Sequence, residues 1–146
     1  MMLAGQLRDR VEAQRHMDAA WRAAEEFPTD LQLHNHTVGP ANTVNHVMAT
    51  EADLGRPREV IRLADTLNRN DTGLSPARLV DVHTNTARAH LDLGDRDGAL
   101  ASLLKAWDVG PQKAKVEPMT REVLRVLICL HQRSNPRLVR LARRAG

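Results

Sequence analysis

The segment Ala87-Arg88-Ala89-His90-Leu91-Asp92-Leu93-Gly94-Asp95-Arg96-Asp97-Gly98-Ala99-Leu100, running on to Leu103, Ala106 and Pro111, decides the fold. Small side chains at Ala87, Ala99 and Ala106 let two antiparallel helices approach closely. Leu103 fills the gap between them. Gly94 follows a leucine that closes an apolar stripe, and glycine takes the left-handed conformation of a helix end at little cost. Asp95 can cap the next helix by accepting from an orphan backbone N–H. Pro111 ends the unit. The segment therefore reads as two helices folded back on each other.

A second copy lies upstream. Gly55 corresponds to Gly94, Met48 to Ala87, Val60 to Ala99, Ala64 to Leu103 and Leu67 to Ala106. A weaker third copy has Ala4, Ala20, Ala23 and Pro28, with Val11 where glycine is usual. This spacing resembles the tetratricopeptide repeat, whose period is about 34 residues. His90 stands where that repeat usually has tyrosine. Gly55 and Gly94 are 39 residues apart (94 − 55 = 39), so the link 68–75 lengthens the period. The resemblance implies an all-α fold, a right-handed superhelix of tetratricopeptide-like helix pairs with about eight helices, in a single domain over 1–146.

Proline and glycine punctuation gives helices over 1–9, 11–26, 40–54, 57–69, 76–93, 96–109, 118–132 and 136–145, with loops at 28–39 and 68–75. Ser75 and Asn135 precede prolines that suit a first helical turn and are plausible N-caps. The last two helices are expected to shield the final repeat, as a repeat array requires.

Composition agrees. The 146 residues suffice for one core. Aromatic residues make up 2%, with one Phe, two Trp and no Tyr. That argues against a barrel or sandwich, whose strands draw on aromatic and β-branched residues. Trp21 and Trp107 lie among alanines and are expected in the packing. The formal charge is +3. The excess gathers at Arg133, Arg137, Arg140, Arg143 and Arg144, which form either a solvated terminal helix or a basic surface for an acidic partner. The lone Cys129, within Val126-Leu127-Ile128-Cys129-Leu130, is expected to be an inert core thiol. The N-terminus lacks the apolar run of a signal peptide. No stretch reaches the roughly 18 apolar residues of a membrane span. A cytoplasmic location with no membrane partner is expected.

A more specific resemblance rests on Gly39-Pro40-Ala41-Asn42 followed by His46, on Ala87-Arg88-Ala89-His90, and on the closing run from Pro136 to Arg144. These look like the C-terminal repeat region of actinobacterial helix-turn-helix transcriptional regulators, over about residues 15–146. A phenylalanine usually precedes the Gly-Pro, and an aspartate precedes the Ala-Arg-Ala-His by two. Here Val38 and Asn85 hold those positions. The sequence shows no helix-turn-helix module, so the resemblance implies the sensor or interaction part of such a regulator.

In tetratricopeptide pairs the first helix of each repeat lines a concave groove. The spacing then puts Asn42, Asn45 and Ala49 on that face of helix 40–54, with His46 beside them. It puts Asp81, Thr84 and Arg88 there on helix 76–93, with Asn85 adjacent. Asparagine both donates and accepts, and Arg88 is expected to be the one cation on this face, offering a fork to carboxylate or phosphate. The strip therefore suits a peptide, a protein segment or a small acidic ligand. The alternative is an internal network with Arg88 tied to Asp81 or Asp92. His34, His36 and His46 lack the companion ligands of a metal site. His83 and His90, seven apart, share one helix face, so at least one is expected to be packed. There is no G-x-S-x-G, P-loop or H-E-x-x-H pattern. No metal, cofactor or enzymatic activity is expected. Direct DNA contact through the arginine-rich final helix is the rival reading. Leu3, Leu7, Val11 and Trp21 offer an apolar flank for a homodimer.

Overall fold

The computed structural model describes residues 2–25, 31–33, 36–38, 40–68, 73–131 and 136–146, with side chains described for 9–25, 41–67, 73–130 and 136–146. Its described helices are α1 (Met2–Ala24), α2 (Pro40–Asp53), α3 (Pro57–Asn68), α4 (Pro76–Asp92), α5 (Arg96–Val109), α6 (Pro111–Val116), α7 (Pro118–His131) and α8 (Pro136–Ala145). The fold is all-α apart from one short hairpin.

The two helix hairpins that decide the fold turn as their glycines require. Gly55 and Gly94 adopt φ of 71° and 76°, the left-handed region that a Cβ disfavours. Ser75 caps α4 by accepting from the Arg78 amide at 3.4 Å, and Asp95 caps α5 by accepting from Gly98 at 2.9 Å. The repeat positions carry the packing: Ala87, Ala99, Leu103 and Ala106 are buried in one pair, and Met48, Val60, Ala64 and Leu67 in the other.

Two apolar clusters run along the array. One joins Met17 of α1 to Val44, Val47 and Met48 of α2, Val60, Leu63 and Leu67 of α3, and Val82 and Ala89 of α4. The other joins Val80 and Ala87 of α4 to Leu103 and Trp107 of α5, Ala114 of α6, Leu127 of α7 and Leu141 of α8. α4 feeds both, so it is the shared wall of the molecule. Trp107 is buried and Trp21 is packed partly buried against the first cluster, as expected for both. Burying such a side chain contributes on the order of 2 kcal/mol.

Five expectations are corrected. The helices expected at 1–9 and 11–26 are one continuous helix, α1. Val11 therefore sits mid-helix, exposed, and cannot serve as a turn; Ala23 is exposed while Ala24 and Met17 are buried. So the third copy of the repeat is absent. The expected loop 28–39 contains a hairpin of β1 (Leu31–Leu33) and β2 (His36–Val38), paired antiparallel with Leu31 opposite Val38. α5 ends at Val109, before Pro111, as expected, but the stretch after it, read as a connection, forms a further helix, α6. Cys129 is exposed, because α7 buries Val123, Leu124 and Leu127 and turns Cys129 with Ile128 and Leu130 outward. The side chains of Leu3, Leu7, His34 and His36, and residues Pro28, Arg133 and Asn135, lie outside those described.

Candidate functional site

The groove lies between α2 and α4, closed at one end by the link from α6 to α7. A cavity of about 270 Å³ opens there, lined by Asn45, His46, Ala49, Asp53, Arg78, Asp81, Thr84, Asn85, Arg88, Glu117 and Met119. Of the six residues expected on this face, Asn45, His46, Asp81, Asn85 and Arg88 meet in it. They do so because α2 and α4 are successive first helices of repeats. The 39-residue offset puts Asn45 opposite Thr84 and His46 opposite Asn85. Asn42 is the exception: it is buried one turn earlier, off the cavity wall.

The floor of the groove is polar and enclosed. Asn45 is 4% exposed, and its carboxamide oxygen makes no hydrogen bond among the described residues. A buried acceptor without a donor is uncommon in folded proteins and costs free energy. Beside it, the Thr84 hydroxyl is buried and shares a 2.8 Å hydrogen bond with Thr120 of α7. Asn45, Thr84 and Thr120 thus place one polar side chain on each successive first helix. His46 is exposed at the mouth, and Asn85 is half-buried.

The charges are arranged differently from the expected network. Arg88 donates to Asp53 of α2 at 3.1 Å, and neither Asp81 nor Asp92 holds it. Asp53 is the residue one repeat before Asp92, so the pairing crosses between repeats instead of staying within α4. Asp81 is held by Lys113 of α6 at 2.6 Å, and the same ammonium donates to the Ala77 carbonyl at 2.9 Å. Nor is Arg88 the sole cation on the face, because Arg78 lines the cavity too. The side chain of Arg88 is 28% exposed and that of Asp53 is 75% exposed. That contact is partly wet and worth at most about 1 kcal/mol.

Asp53, Arg78, Lys113, Glu117 and Met119 were missed in the sequence. Two were within reach of it. Arg78, Asp81, Asn85 and Arg88 follow the three-and-four spacing of one helix face, and so do His46, Ala49 and Asp53. Extending each stripe by one turn finds the missing member. Of the other three, Lys113 lies in α6 and Glu117 directly after it, in a short stretch between two prolines that gave no periodic signal, and Met119 lies in the first turn of α7.

Chemically, the groove is a band of amide and hydroxyl groups bracketed by two inter-helix ion pairs. It offers hydrogen bonds along a line. Its carboxylates and guanidinium groups are mixed, and it carries no strong excess of either sign. Among the described residues no group of three or more His, Cys, Asp or Glu side chains could hold a metal ion, and no helix is long and apolar enough to cross a membrane. No family model, no curated protein and no solved structure matches the chain.

Proposed function

We propose that this chain is a non-enzymatic binding module whose groove between α2 and α4 takes an extended polypeptide segment, and that it serves as the sensor or interaction part of a transcriptional regulator. One observation carries the binding reading. Asn45 keeps a buried carboxamide oxygen without a partner on the wall of a cavity that the repeat geometry fills with polar side chains. Such a group is retained at a cost to stability, and turning the carboxamide so that its oxygen accepts an N–H from a ligand in the cavity recovers that cost. A peptide main chain supplies alternating donors and acceptors, which matches asparagine and threonine better than a purely anionic ligand would. The Arg88–Asp53 and Lys113–Asp81 pairs already balance two of the cations that an acidic ligand would seek, and Arg78 is a third. The regulator assignment rests on the sequence resemblance alone.

The experiment is a selection of phage-displayed dodecapeptides, followed by calorimetric titration of the winners. Binding that is lost on Asn45→Leu and on N-methylation of the peptide backbone supports the reading. Peptides that bind equally well to the Asn45→Leu protein contradict it.

The DNA-contacting reading has its own observation: Arg137, Arg140, Arg143 and Arg144 are exposed on α8, whose opposite face buries Leu138, Leu141 and Ala145. Phosphate contacts by several arginines give a steep fall of affinity with salt. A nearly flat salt dependence on a random duplex rejects it.

A further inference from the structure

We propose that the groove between α2 and α4 grips both edges of one extended strand, with Asn45 bonding the N–H and C=O of one residue and Asn85 those of the next. On the polypeptide reading above, on which this rests, the partner is then an unpaired segment and not the edge of a folded sheet. α2 lines the cavity from Asn45 to Asp53, and α4 lines it from Arg78 to Arg88. At a rise of about 1.5 Å per residue these walls run about 12 and 15 Å. An extended chain advances about 3.3 Å per residue, so about four residues lie alongside them. A cavity of about 270 Å³ drawn out over that length is a slot for one chain.

Two carboxamides without partners line this slot from opposite walls. Asn45 is buried on the α2 side, and its side chain makes no hydrogen bond among the described residues. Asn85 is half-buried on the α4 side, and its side chain likewise makes none among them. Thr84, which the repeat offset sets opposite Asn45, already shares its hydroxyl with Thr120. That leaves Asn85, set opposite His46, to read a ligand from this wall. A carboxamide both donates and accepts. In an extended chain the N–H and C=O of one residue point to the same edge, and those of the next residue point to the other edge. Each asparagine therefore matches one residue with two hydrogen bonds, once Asn45 turns its oxygen toward the slot. Because the two stand at one level on facing helices, they take consecutive residues. A strand held in this way has no edge left for a neighbouring strand.

The test is an amide-to-ester scan of a dodecapeptide from the phage selection, read by calorimetry. Each ester removes one N–H and leaves the course of the chain unchanged. With the wild-type protein, two adjacent positions should each weaken binding by about tenfold, and the others by much less. Asn85→Ala, with its circular dichroism spectrum unchanged, should erase the loss at one of the two positions and keep it at the other. Asn85→Ser repeats the test should Asn85→Ala perturb the fold. Closing the peptide into a disulfide-linked hairpin around the two positions should weaken binding by at least about tenfold. Sensitive positions two residues apart overturn the proposal, because both then lie on one edge. So do a single sensitive position, a flat scan, both losses surviving in the Asn85 variants, or full binding of the hairpin. In those cases the groove reading still stands if Asn45→Leu weakens the unmodified peptide. Failure of the groove reading is different: Asn45→Leu leaves binding untouched, or the selection yields no binder, and the proposal falls with it.

Discussion

Replacing Asn45 with leucine is expected to make the protein more stable and less able to bind. The residue is 4% exposed, and its carboxamide oxygen is closed off from water. Leaving a buried acceptor unsatisfied costs about 1–3 kcal/mol. Leucine has a similar shape, removes that penalty and adds apolar contact next to the buried Val44 and Met48. Against this stands the polar wall of Thr84 and Asn85, which a leucine would face without hydrogen bonding. A net gain of about 1–2 kcal/mol follows. For a chain of this length each kcal/mol moves the midpoint by about 2–4 °C, so thermal unfolding followed at 222 nm should shift upward by about 2–8 °C. Asn45→Ala serves as the control: it also removes the orphan oxygen but leaves a void, so its midpoint should lie below that of the leucine variant. A lower midpoint for Asn45→Leu than for wild type would refute the reasoning, since the amide would then be satisfied within the fold. That outcome would turn the candidate site into an internal network.

Further expectations concern the helix crossing, the charge pairs and pH. Ala99 is fully buried where α5 crosses α4, so Ala99→Leu should overpack and cost about 1–3 kcal/mol in denaturant unfolding. Arg88→Ala removes a half-wet pair with Asp53 and should change stability by less than about 1 kcal/mol, while weakening any groove ligand that contacts the guanidinium. Burial, and to a lesser degree Lys105, holds the His83 imidazole below its ordinary pKa. The unfolded chain therefore takes up this proton first as pH falls. Stability should decline as pH drops below about 6.5, the ordinary value, and level off below the folded pKa. His83→Gln should flatten that decline in urea titrations at pH 5 to 8.

Much of the fold was legible because its turns and helix crossings carry recognisable residue types. Gly55 and Gly94 mark left-handed turns, and Ala87, Ala99 and Ala106 mark close crossings. All of these are independent of what surrounds the pair. The N-terminal region misled for the opposite reason. Ala20 and Ala23 are small residues on a single helix, and composition alone cannot separate a crossing from a solvated alanine. α7 misled in a related way: its apolar run goes round the whole helix, so nothing in the sequence said that Cys129 and Ile128 would face outward. For the groove, helix periodicity found which residues share a face. It could not find the ion pairs, because Arg88–Asp53 and Lys113–Asp81 depend on how far one repeat rotates past the next. Those partners lie 35 and 32 residues apart, neither of them the 39-residue repeat offset.

The central claim is that the polar groove between α2 and α4 is a binding surface, and amide chemical-shift mapping tests it most directly. Uniformly 15N-labelled protein is titrated with a peptide obtained by the phage selection. The account predicts that the largest shifts fall on Asn45, His46, Thr84, Asn85 and Arg88, including the side-chain amide of Asn45, and that they vanish in Asn45→Leu. Shifts confined to α7 and α8, or spread evenly over the chain with Asn45 unmoved, would contradict it.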